Sequence, residues 1–355
     1  MTIALDATPL SVSTGGVARY TLELARALAA RFPDDEHWLL SDQPFPMPEH
    51  PAPNIHRGDP PNNRVTRKWW LWGLQQEMMR RHVDVFHGTD FSVPYLPLRP
   101  SVMTVHDLSP WLDGAWQPHA QRIRRRTAVL LRAGLATMVI TPSQAVRRAA
   151  IDRFGLASDR VVAVPLAASE HFRPVACEPP ARPYFLFVGT LEPRKNLRRL
   201  VEAWREVYKS HAVDLVLAGR ARADFGPIPS EPGLRIAGPV AEADLPALYS
   251  GALAVVYPSL YEGFGLPVLE AMQCGALVVA SRDPAILEVT CEAAVHFEAT
   301  EVRQLAEALL AIARAPQDFS AVRARGLERA RTFSWQRTAE LTWEVYDAAI
   351  RVFRK

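Results

Sequence analysis

The sequence lacks the features of secreted, disulfide-stapled and membrane-spanning proteins. Its three cysteines, Cys177, Cys274 and Cys291, are too few and too scattered for a disulfide framework or a zinc site. No apolar stretch approaches the roughly 20 residues that a membrane helix needs, and an arginine and a glycine interrupt the longest candidate, residues 129–140. The first residues have the pattern of a strand, without the basic and apolar regions of a signal peptide. We therefore expect a cytoplasmic protein.

The sequence also lacks an excess of charge of one sign and any metal-binding pattern. Its 41 basic and 38 acidic residues give a net charge of +3, which argues against nucleic acid binding as the main role. No Asp-x-Asp pair follows a predicted strand, and no His/Cys cluster has metal-ligand spacing. We expect neither a metal site nor a bound cofactor. The hydrophobic content of 48% and charged content of 22% are typical of a globular protein.

The length and the pattern of the chain predict two α/β domains. A chain of 355 residues is long enough for two cores. Short β-branched runs alternate with amphipathic runs, which is typical of βαβ units and parallel sheets. A proline-rich stretch near residues 166–183 indicates a linker. We predict Rossmann-like domains at residues 1–170 and 171–337, and the pattern leaves open whether the last helix, 338–355, packs on the first domain.

The most informative motif is Tyr-Glu-Gly-Phe-Gly-Leu-Pro-Val-Leu-Glu at residues 261–270. It follows an apolar run with the pattern of a buried strand, and Pro267 suits the first turn of a short helix. A helix N-terminus binds anions, whereas Glu262 before the helix and Glu270 inside it suit hydroxyl donors. A sugar nucleotide has both an anionic phosphate for the helix N-terminus and hydroxyl donors for the two glutamates. The alternative is a capped helix with two solvated glutamates, against which the strand, the Gly-Phe-Gly turn and the proline all argue.

A second motif, Gly-Thr-Leu-Glu-Pro-Arg-Lys-Asn at residues 189–196, also lies between a predicted strand and a helix. Arg194 and Lys195 fall in the predicted first helical turn, where cations oppose the helix dipole. A bound diphosphate would reverse that penalty, since arginine grips it in a fork and lysine binds it as a point charge. The alternative is a solvated basic face that continues into Arg198 and Arg199. The position at the unfavourable helix end favours a phosphate clamp.

Two further strand ends carry glycines. Gly15 and Gly16, in the sequence Ser-Thr-Gly-Gly, allow backbone N–H groups to approach a phosphate, or form an ordinary tight turn. Gly219 and Arg220 follow another predicted strand, and the arginine either contacts a phosphate or base or is an exposed loop residue. The spacing does not decide between these alternatives.

Two histidines leave neighbouring strands. His106 ends the apolar run Thr-Val-His-Asp-Leu, and His87 leaves the preceding strand in the same way. A lone histidine is more often structural than catalytic. The spacing alone does not show which of the two lies at a ligand site.

Two stretches combine cations with apolar residues. Residues 67–72 join Arg-Lys to three tryptophans, and a predicted helix over residues 119–135 carries five arginines around apolar side chains. Such patterns are typical of peripheral contact with an anionic bilayer. The alternative, which is favoured, is that these aromatic faces pack on their own sheet while the arginines are solvated.

These motifs together resemble those of the retaining glycosyltransferases of family 4. The resemblance covers nearly the whole chain and is carried by the Gly15-Gly16 loop, His106, residues 188–196 and residues 262–270. It implies the GT-B fold, in which two Rossmann-like domains face each other across a cleft. Residues 1–170 would bind the acceptor, and residues 171–337 would bind the nucleotide-sugar donor. The pattern is most similar to bacterial mannosyl- and rhamnosyl-type transferases of surface polysaccharide and lipopolysaccharide assembly.

The resemblance also implies roles for individual residues. Arg194 and Lys195 would neutralise the donor diphosphate, while His106 and Glu262 would contact the donor sugar; these four are the implied catalytic residues. Glu270 would contact the ribose. The other expected donor contacts are Gly15, Gly16, Thr190, Gly219, Arg220, Val240, Gly263, Phe264, Gly265 and Leu266.

The implied reaction is metal-independent transfer of a hexose from a nucleotide-sugar to a glycan or lipid-linked glycan acceptor. GDP-mannose is the expected donor, and the site of action is the cytoplasm, with peripheral contact at the inner face of the membrane as a further expectation. Two alternatives remain: a sugar-nucleotide epimerase on the same fold, against which the Glu262–Glu270 motif argues, and a non-catalytic sugar-nucleotide-binding subunit of an assembly complex.

Overall fold

The computed structural model describes the chain except residues 13–14, 49, 115, 119, 179, 224, 227–229 and 355. It divides into two compact units. The first comprises Met1–Leu166 and Ser334–Lys355, and the second comprises Ala167–Phe333. The chain thus returns to its first unit for the last helix.

The first unit is built on a seven-stranded parallel sheet with strand order β3-β2-β1-β4-β5-β6-β7. The strands are β1 Thr2–Asp6, β2 Glu36–Leu40, β3 Ile55–Arg57, β4 Val85–Gly88, β5 Ser101–Thr104, β6 Met138–Thr141 and β7 Val161–Ala163. The helices are α1 Gly16–Arg31, α2 Leu74–Arg80, α3 Ser109–Leu112, α4 Gln121–Arg132, α5 Gln144–Phe154 and α12 Trp335–Phe353. A π-helical turn, Trp69–Gly73, leads into α2. The central strands are buried along their length because helices cover both faces of a parallel sheet.

The last helix, α12, packs against α1 of the first unit. The Trp343 indole N–H donates to Asp35 at 2.7 Å, and the Thr338 hydroxyl donates to the Pro165 carbonyl at 2.7 Å. Stacking of Phe32 on Trp343 adds apolar contact. The last helix therefore belongs to the core of the first unit.

The second unit repeats the architecture with six parallel strands in the order β10-β9-β8-β11-β12-β13. The strands are β8 Tyr184–Val188, β9 Asp214–Ala218, β10 Leu234–Gly238, β11 Ala254–Tyr257, β12 Val278–Ser281 and β13 Val295–Phe297. The helices are α6 Leu197–Tyr208, α7 Leu245–Ser250, α8 Leu266–Gln273, α9 Pro284–Thr290, α10 Val302–Arg314 and α11 Ser320–Ala330. The prediction of two Rossmann-like α/β domains is confirmed.

Each sheet has a point where the strand order reverses. In the first unit it lies between β1 and β4, and in the second between β8 and β11. Ligands of open parallel sheets bind at such switch points, beyond the carboxyl ends of the strands. Each unit therefore has one position where a ligand site is expected.

Within the described residues, no helix combines the length and the apolar character required to cross a bilayer.

Candidate active site

The switch point of the second unit holds a group of charged side chains. Arg194 donates from Nη1 to Glu262 Oε2 at 3.0 Å, and Lys195 donates from Nζ to Glu262 Oε1 at 2.6 Å. Glu192 accepts from Arg194 Nη2 at 2.8 Å and from Arg222 Nη1 at 3.1 Å. We call these five residues the charged cluster. Three cations thus share two carboxylates beside the switch point.

The charged cluster is withdrawn from water. Arg194 is 9% exposed, Lys195 6% and Glu262 6%. Burying such charges is costly unless they are paired, so the ion pairs explain why the cluster is tolerated. The two basic side chains are held by the protein and do not point into bulk solvent.

Arg194 and Lys195 lie in a 3-10 turn, Pro193–Lys195, that precedes α6. The prediction that they form the first turn of that helix is wrong, because α6 begins at Leu197. Asn196 breaks the helical path with a left-handed φ of 58°, and its side-chain amide is fixed by bonds to Pro258 and Ala299 carbonyls. The dipole argument therefore does not apply, and pairing with Glu262 accounts for the position of the two cations.

Burial and the two cations act in opposite directions on Glu262. Burial acts to raise its pKa, but Arg194 and Lys195 together outweigh burial and lower the pKa to about 2. Burial lowers the pKa of Lys195, and the Glu262 carboxylate partly offsets that effect. Glu262 is therefore ionised throughout the neutral range.

Lys195 retains a donor that no described residue accepts. Its ammonium carries three N–H donors, of which one goes to Glu262 and another to the Tyr257 hydroxyl at 2.6 Å. Burial holds the pKa of Tyr257 well above its usual range, so the phenol stays neutral. Among the described residues no acceptor takes the third donor of Lys195, which is available to an anion.

Asp283 positions Glu262 and was missed in the sequence. Its Oδ2 accepts from the Glu262 backbone N–H at 3.2 Å, and its Oδ1 caps α9 through Ala285 and Ile286. Burial, followed by the nearby Glu262, raises the pKa of Asp283 to about 6. The available signal was the Asp-Pro pair at a helix start. Glu192 and Arg222 were also missed, although Glu192 lies inside the second motif.

Glu270 lies on α8, as predicted, and is 2% exposed. Its Oε2 accepts from the Tyr249 hydroxyl at 2.9 Å. Gly265 caps the start of α8 with a φ of 102° and supplies no side-chain acceptor. Gly263 and Phe264 are buried in the same turn, and Leu266 is half-buried. The N-terminal end of α8 thus presents backbone and no side-chain cap.

The ends of β8 and β9 approach each other through glycines. A Cβ added to Gly219 would lie 1.9 Å from the Gly189 carbonyl oxygen, so only glycine fits there. Thr190 and Arg220, which follow these glycines, are exposed, and Val240 after β10 is half-buried. The structure places them near the sheet edge but outside the charged cluster.

In the first unit, the structure separates the two histidines. His87 is fully buried, and its ring nitrogens lie 2.7 Å from the Tyr346 and Thr104 hydroxyls. His106 is half-buried and donates from Nε2 to the Thr89 carbonyl at 2.7 Å. Within the described residues its Nδ1 has no hydrogen-bond partner. His87 is therefore structural, and His106 is the residue available at the end of β5.

The glycine loop of the first unit is described in part. Gly15 and Gly16 are exposed at the start of α1, and a Cβ added to either would meet nothing within 4 Å. Ser13 and Thr14 of the same motif lie outside the described residues. The described half of the loop is thus open to a ligand.

The tryptophans of residues 67–72 have different surroundings. Trp69 is 3% exposed and packs with Leu74, Met78 and Phe86, whereas Trp72 is 48% exposed. On α4, Leu130 and Leu131 are buried and Val129 is exposed. Most of this apolar surface therefore serves the core of the first unit.

Burial of His87 predicts a pH-dependent stability. Burial, assisted by nearby His106, lowers the pKa of His87 to about 3. The unfolded chain takes up a proton below the ordinary value of about 6.5, whereas the folded chain does not, so acid favours unfolding. We expect the stability advantage of the wild type over His87→Gln to shrink by about 2 kcal/mol between pH 7 and pH 5, as measured by urea unfolding. An advantage that is equal at both pH values would contradict a neutral, buried imidazole.

Two family models match the chain. The model described as "Glycosyltransferase Family 4" matches residues 14–170, and the model described as "Glycosyl transferases group 1" matches residues 182–315. Each match falls within one half of the chain: the first covers β2 to β7 and the second covers all six strands of the second sheet.

The chain is similar to named proteins of bacterial glycan synthesis. It is 29% identical to the O-antigen chain mannosyltransferase B of Escherichia coli, over 98% of this chain and 99% of that protein. It is 25% identical to the O-antigen chain mannosyltransferase RfbU of Salmonella typhimurium, over 65% of each.

The fold matches that of solved glycosyltransferases. Sucrose-phosphate synthase from Thermosynechococcus elongatus superposes with a TM-score of 0.76 at 20% identity, covering 98% of both chains. At this identity the likeness shows the fold, and it confirms the GT-B class.

Proposed function

Because this chain belongs to the family 4 glycosyltransferases, we propose that it transfers mannose from GDP-mannose to a glycan or lipid-linked glycan acceptor. We further propose that the anomeric configuration is retained and that Arg194 and Lys195 act in place of a metal ion. Arg194, Lys195 and Glu262 are the site residues on which these proposals depend.

The observation that carries the proposal is the pairing of two cations with Glu262 at the β8/β11 switch point. Arg194 and Lys195 come from the segment after β8, and Glu262 comes from the segment after β11. A diphosphate bound here would meet the spare donor of Lys195 and the uncapped start of α8. Glu262, held ionised, would accept hydroxyl hydrogens of the donor sugar. One position thus serves both parts of a sugar nucleotide.

The charged cluster supports departure of the diphosphate. As the bond between the sugar and the phosphate breaks, negative charge develops on the leaving oxygen, and fixed cations in a water-poor site stabilise it. We propose attack on the face from which the diphosphate leaves, with the leaving phosphate oxygen taking the acceptor proton. No further general base is then required. We propose that His106 also contacts the donor sugar.

The choice of mannose rests on the names of relatives. The Escherichia coli relative that spans nearly the whole chain and the Salmonella typhimurium relative are called mannosyltransferases of O-antigen synthesis. No single side chain of the site identifies guanine or the configuration of the sugar.

The donor is tested by thermal shift of the full chain against GDP-, UDP-, dTDP- and ADP-sugars in EDTA. A ligand that binds only the folded form raises the melting temperature, by an amount that grows with its concentration relative to Kd. We expect GDP-mannose to give the largest shift and to be consumed when a mannose-containing acceptor is added. A larger shift with another nucleotide-sugar would identify that compound as the donor in place of GDP-mannose. Interconversion of sugar epimers would indicate an epimerase, and binding without transfer or hydrolysis would indicate a non-catalytic binding subunit. Either result would overturn the proposed transferase function.

A further inference from the structure

Tyr257 is the last residue of β11, at the switch point of the second unit. Its side chain is 1% exposed and stacks on Phe187 of β8, with ring centres 5.8 Å apart and 16° between the ring planes. Packing therefore fixes the position of the ring. A phenylalanine would fill the same space, so packing alone does not account for the hydroxyl.

The Tyr257 hydroxyl faces the charged cluster. It accepts from Lys195 Nζ at 2.6 Å, whereas the same nitrogen lies 4.7 Å from the centre of the ring. Because the hydroxyl oxygen is much the nearer group, a hydrogen bond is the main contact, and attraction to the ring is secondary. The phenol is neutral, so it binds the ammonium as an acceptor and adds no counter-charge.

Two hydrogen bonds fix the Lys195 ammonium. One N–H goes to Glu262 at 2.6 Å and another goes to the Tyr257 hydroxyl. A lysine side chain has many rotamers, and a single bond would let the ammonium pivot about Glu262. Two bonds on a tetrahedral nitrogen set the direction of the third N–H. Tyr257 thus helps to aim the donor that an anion would use.

The hydroxyl also favours the protonated form of Lys195. Burial lowers the pKa of Lys195, and the nearby Arg194 acts in the same direction. The carboxylates of Glu262 and Glu192 act in the opposite direction. Since a hydrogen bond to the charged form of a group stabilises that form, removal of the Tyr257 hydroxyl should lower the pKa of Lys195 further. A tyrosine that only fills space would have no such effect.

We propose that Tyr257 is a positioning residue of the transfer reaction, whose hydroxyl holds the Lys195 ammonium so that its third N–H points toward the leaving phosphate oxygen. Negative charge develops on that oxygen as its bond to the sugar breaks, and a donor that is fixed in advance stabilises it. The proposal rests on the transferase function proposed above. Its effect on Lys195 is measured without donor or acceptor, so the two proposals fail in different experiments.

The first measurement is the titration of Lys195, followed by NMR of the full chain labelled at the lysine Cε. The spectrum holds few signals, because the chain has only the lysines Lys68, Lys195, Lys209 and Lys355. Lys195→Ala identifies the signal of interest. We expect the titration midpoint of Lys195 to lie about one pH unit lower in Tyr257→Phe than in the wild type, since a bond to the charged form is lost. The other three lysines are internal controls and should titrate alike in both proteins.

Kinetics give the second readout. Tyr257→Phe keeps the ring and its stacking on Phe187, so we expect the chain to fold, as checked by circular dichroism. With GDP-mannose as donor and mannobiose as acceptor, kcat should fall about tenfold or more, while the donor KM changes by less than about threefold, because the lost contact acts mainly in the transition state. The alkaline limb of kcat should move to lower pH together with the midpoint of Lys195.

Tyr184→Phe is the matched control. Tyr184 begins β8 at the end opposite the switch point, is 6% exposed, and donates from its hydroxyl to the Leu248 carbonyl at 2.8 Å. This variant should keep the wild-type kcat and the wild-type Lys195 midpoint.

An equal Lys195 midpoint in the wild type and Tyr257→Phe would overturn the proposal. So would an equal kcat in these two proteins, or a loss of kcat in Tyr184→Phe as large as that in Tyr257→Phe. A midpoint that shifts as expected in a protein that transfers no sugar would remove the proposed function and leave the action of Tyr257 on Lys195 standing.

Discussion

Lys195→Ala is expected to reduce sugar transfer by about a thousandfold, because removing one preorganised donor from a transition-state site typically costs 10²–10³ in rate. The substitution removes the ammonium, whose third donor has no acceptor in the described part of the chain, along with its bonds to Glu262 and Tyr257. Glu262 keeps Arg194 as a partner at 3.0 Å, so we expect the chain to fold. The measurement is the rate of transfer at saturating donor, with circular dichroism as the check on folding.

Lys209→Ala is the matched control for this substitution. Lys209 follows α6 in the same unit, is exposed, and pairs only with the neighbouring exposed Glu206 in the described contacts. Exposed pairs of this kind contribute about 0–1 kcal/mol, so the control should retain full activity. A folded Lys195→Ala variant that transfers sugar at the wild-type rate would remove Lys195 from the mechanism.

Glu262→Gln is expected to lower both stability and transfer. The substitution keeps the shape but places an amide NH₂ against one of two buried cations, so that Arg194 and Lys195 lose their shared counter-charge. Breaking a buried ion pair in this way costs about 3–5 kcal/mol, and we expect transfer to fall by about a hundredfold or more. Because the carboxylate that opposed a bound diphosphate is gone, binding of a nucleoside diphosphate should be retained or become tighter. The measurements are urea unfolding, transfer rate and diphosphate affinity.

The pH dependence gives Glu262→Gln a second signature. The pKa of Glu262 is lowered to about 2, so the stability that its ionised form contributes is present above about pH 4.5 and is lost as the pH falls toward 2. The wild-type advantage over Glu262→Gln should shrink over that interval. Glu307→Gln, in an exposed pair with Arg303 at 3.3 Å, should change stability by no more than about 0.5 kcal/mol. Equal stability of the wild type and Glu262→Gln at pH 7 would contradict a structural role for the pair.

The periodicity of the sequence was sufficient to predict the two Rossmann-like domains. Apolar runs such as β8 and β11 are buried on both faces of a parallel sheet, and that burial is the cause of their continuous hydrophobicity. Glycine, proline and charge at the strand ends drew attention to Arg194 and Glu262, because ligands of parallel sheets bind at those ends.

The sequence could not show how these residues meet. Arg194 and Glu262 are 68 positions apart, and they touch because β8 and β11 are neighbours where the strand order reverses. The left-handed conformation of Asn196 could not be predicted from the local pattern, because the side chain is held by carbonyls of two distant segments. The roles of His87 and His106 could not be separated, since each ends a similar strand and only burial distinguishes them.

The most direct measurement is titration calorimetry, in excess EDTA, of the nucleoside diphosphate that stabilises the protein most. The ligand is titrated into the wild type and into the double variant Arg194→Ala/Lys195→Ala. We expect metal-free binding by the wild type, no gain on adding Mg²⁺, and an affinity at least about a hundredfold weaker in the variant, because charge-assisted bonds to phosphate are each among the strongest polar contacts. Binding that requires Mg²⁺, or equal affinity in the two proteins, would show that these cations do not hold the diphosphate.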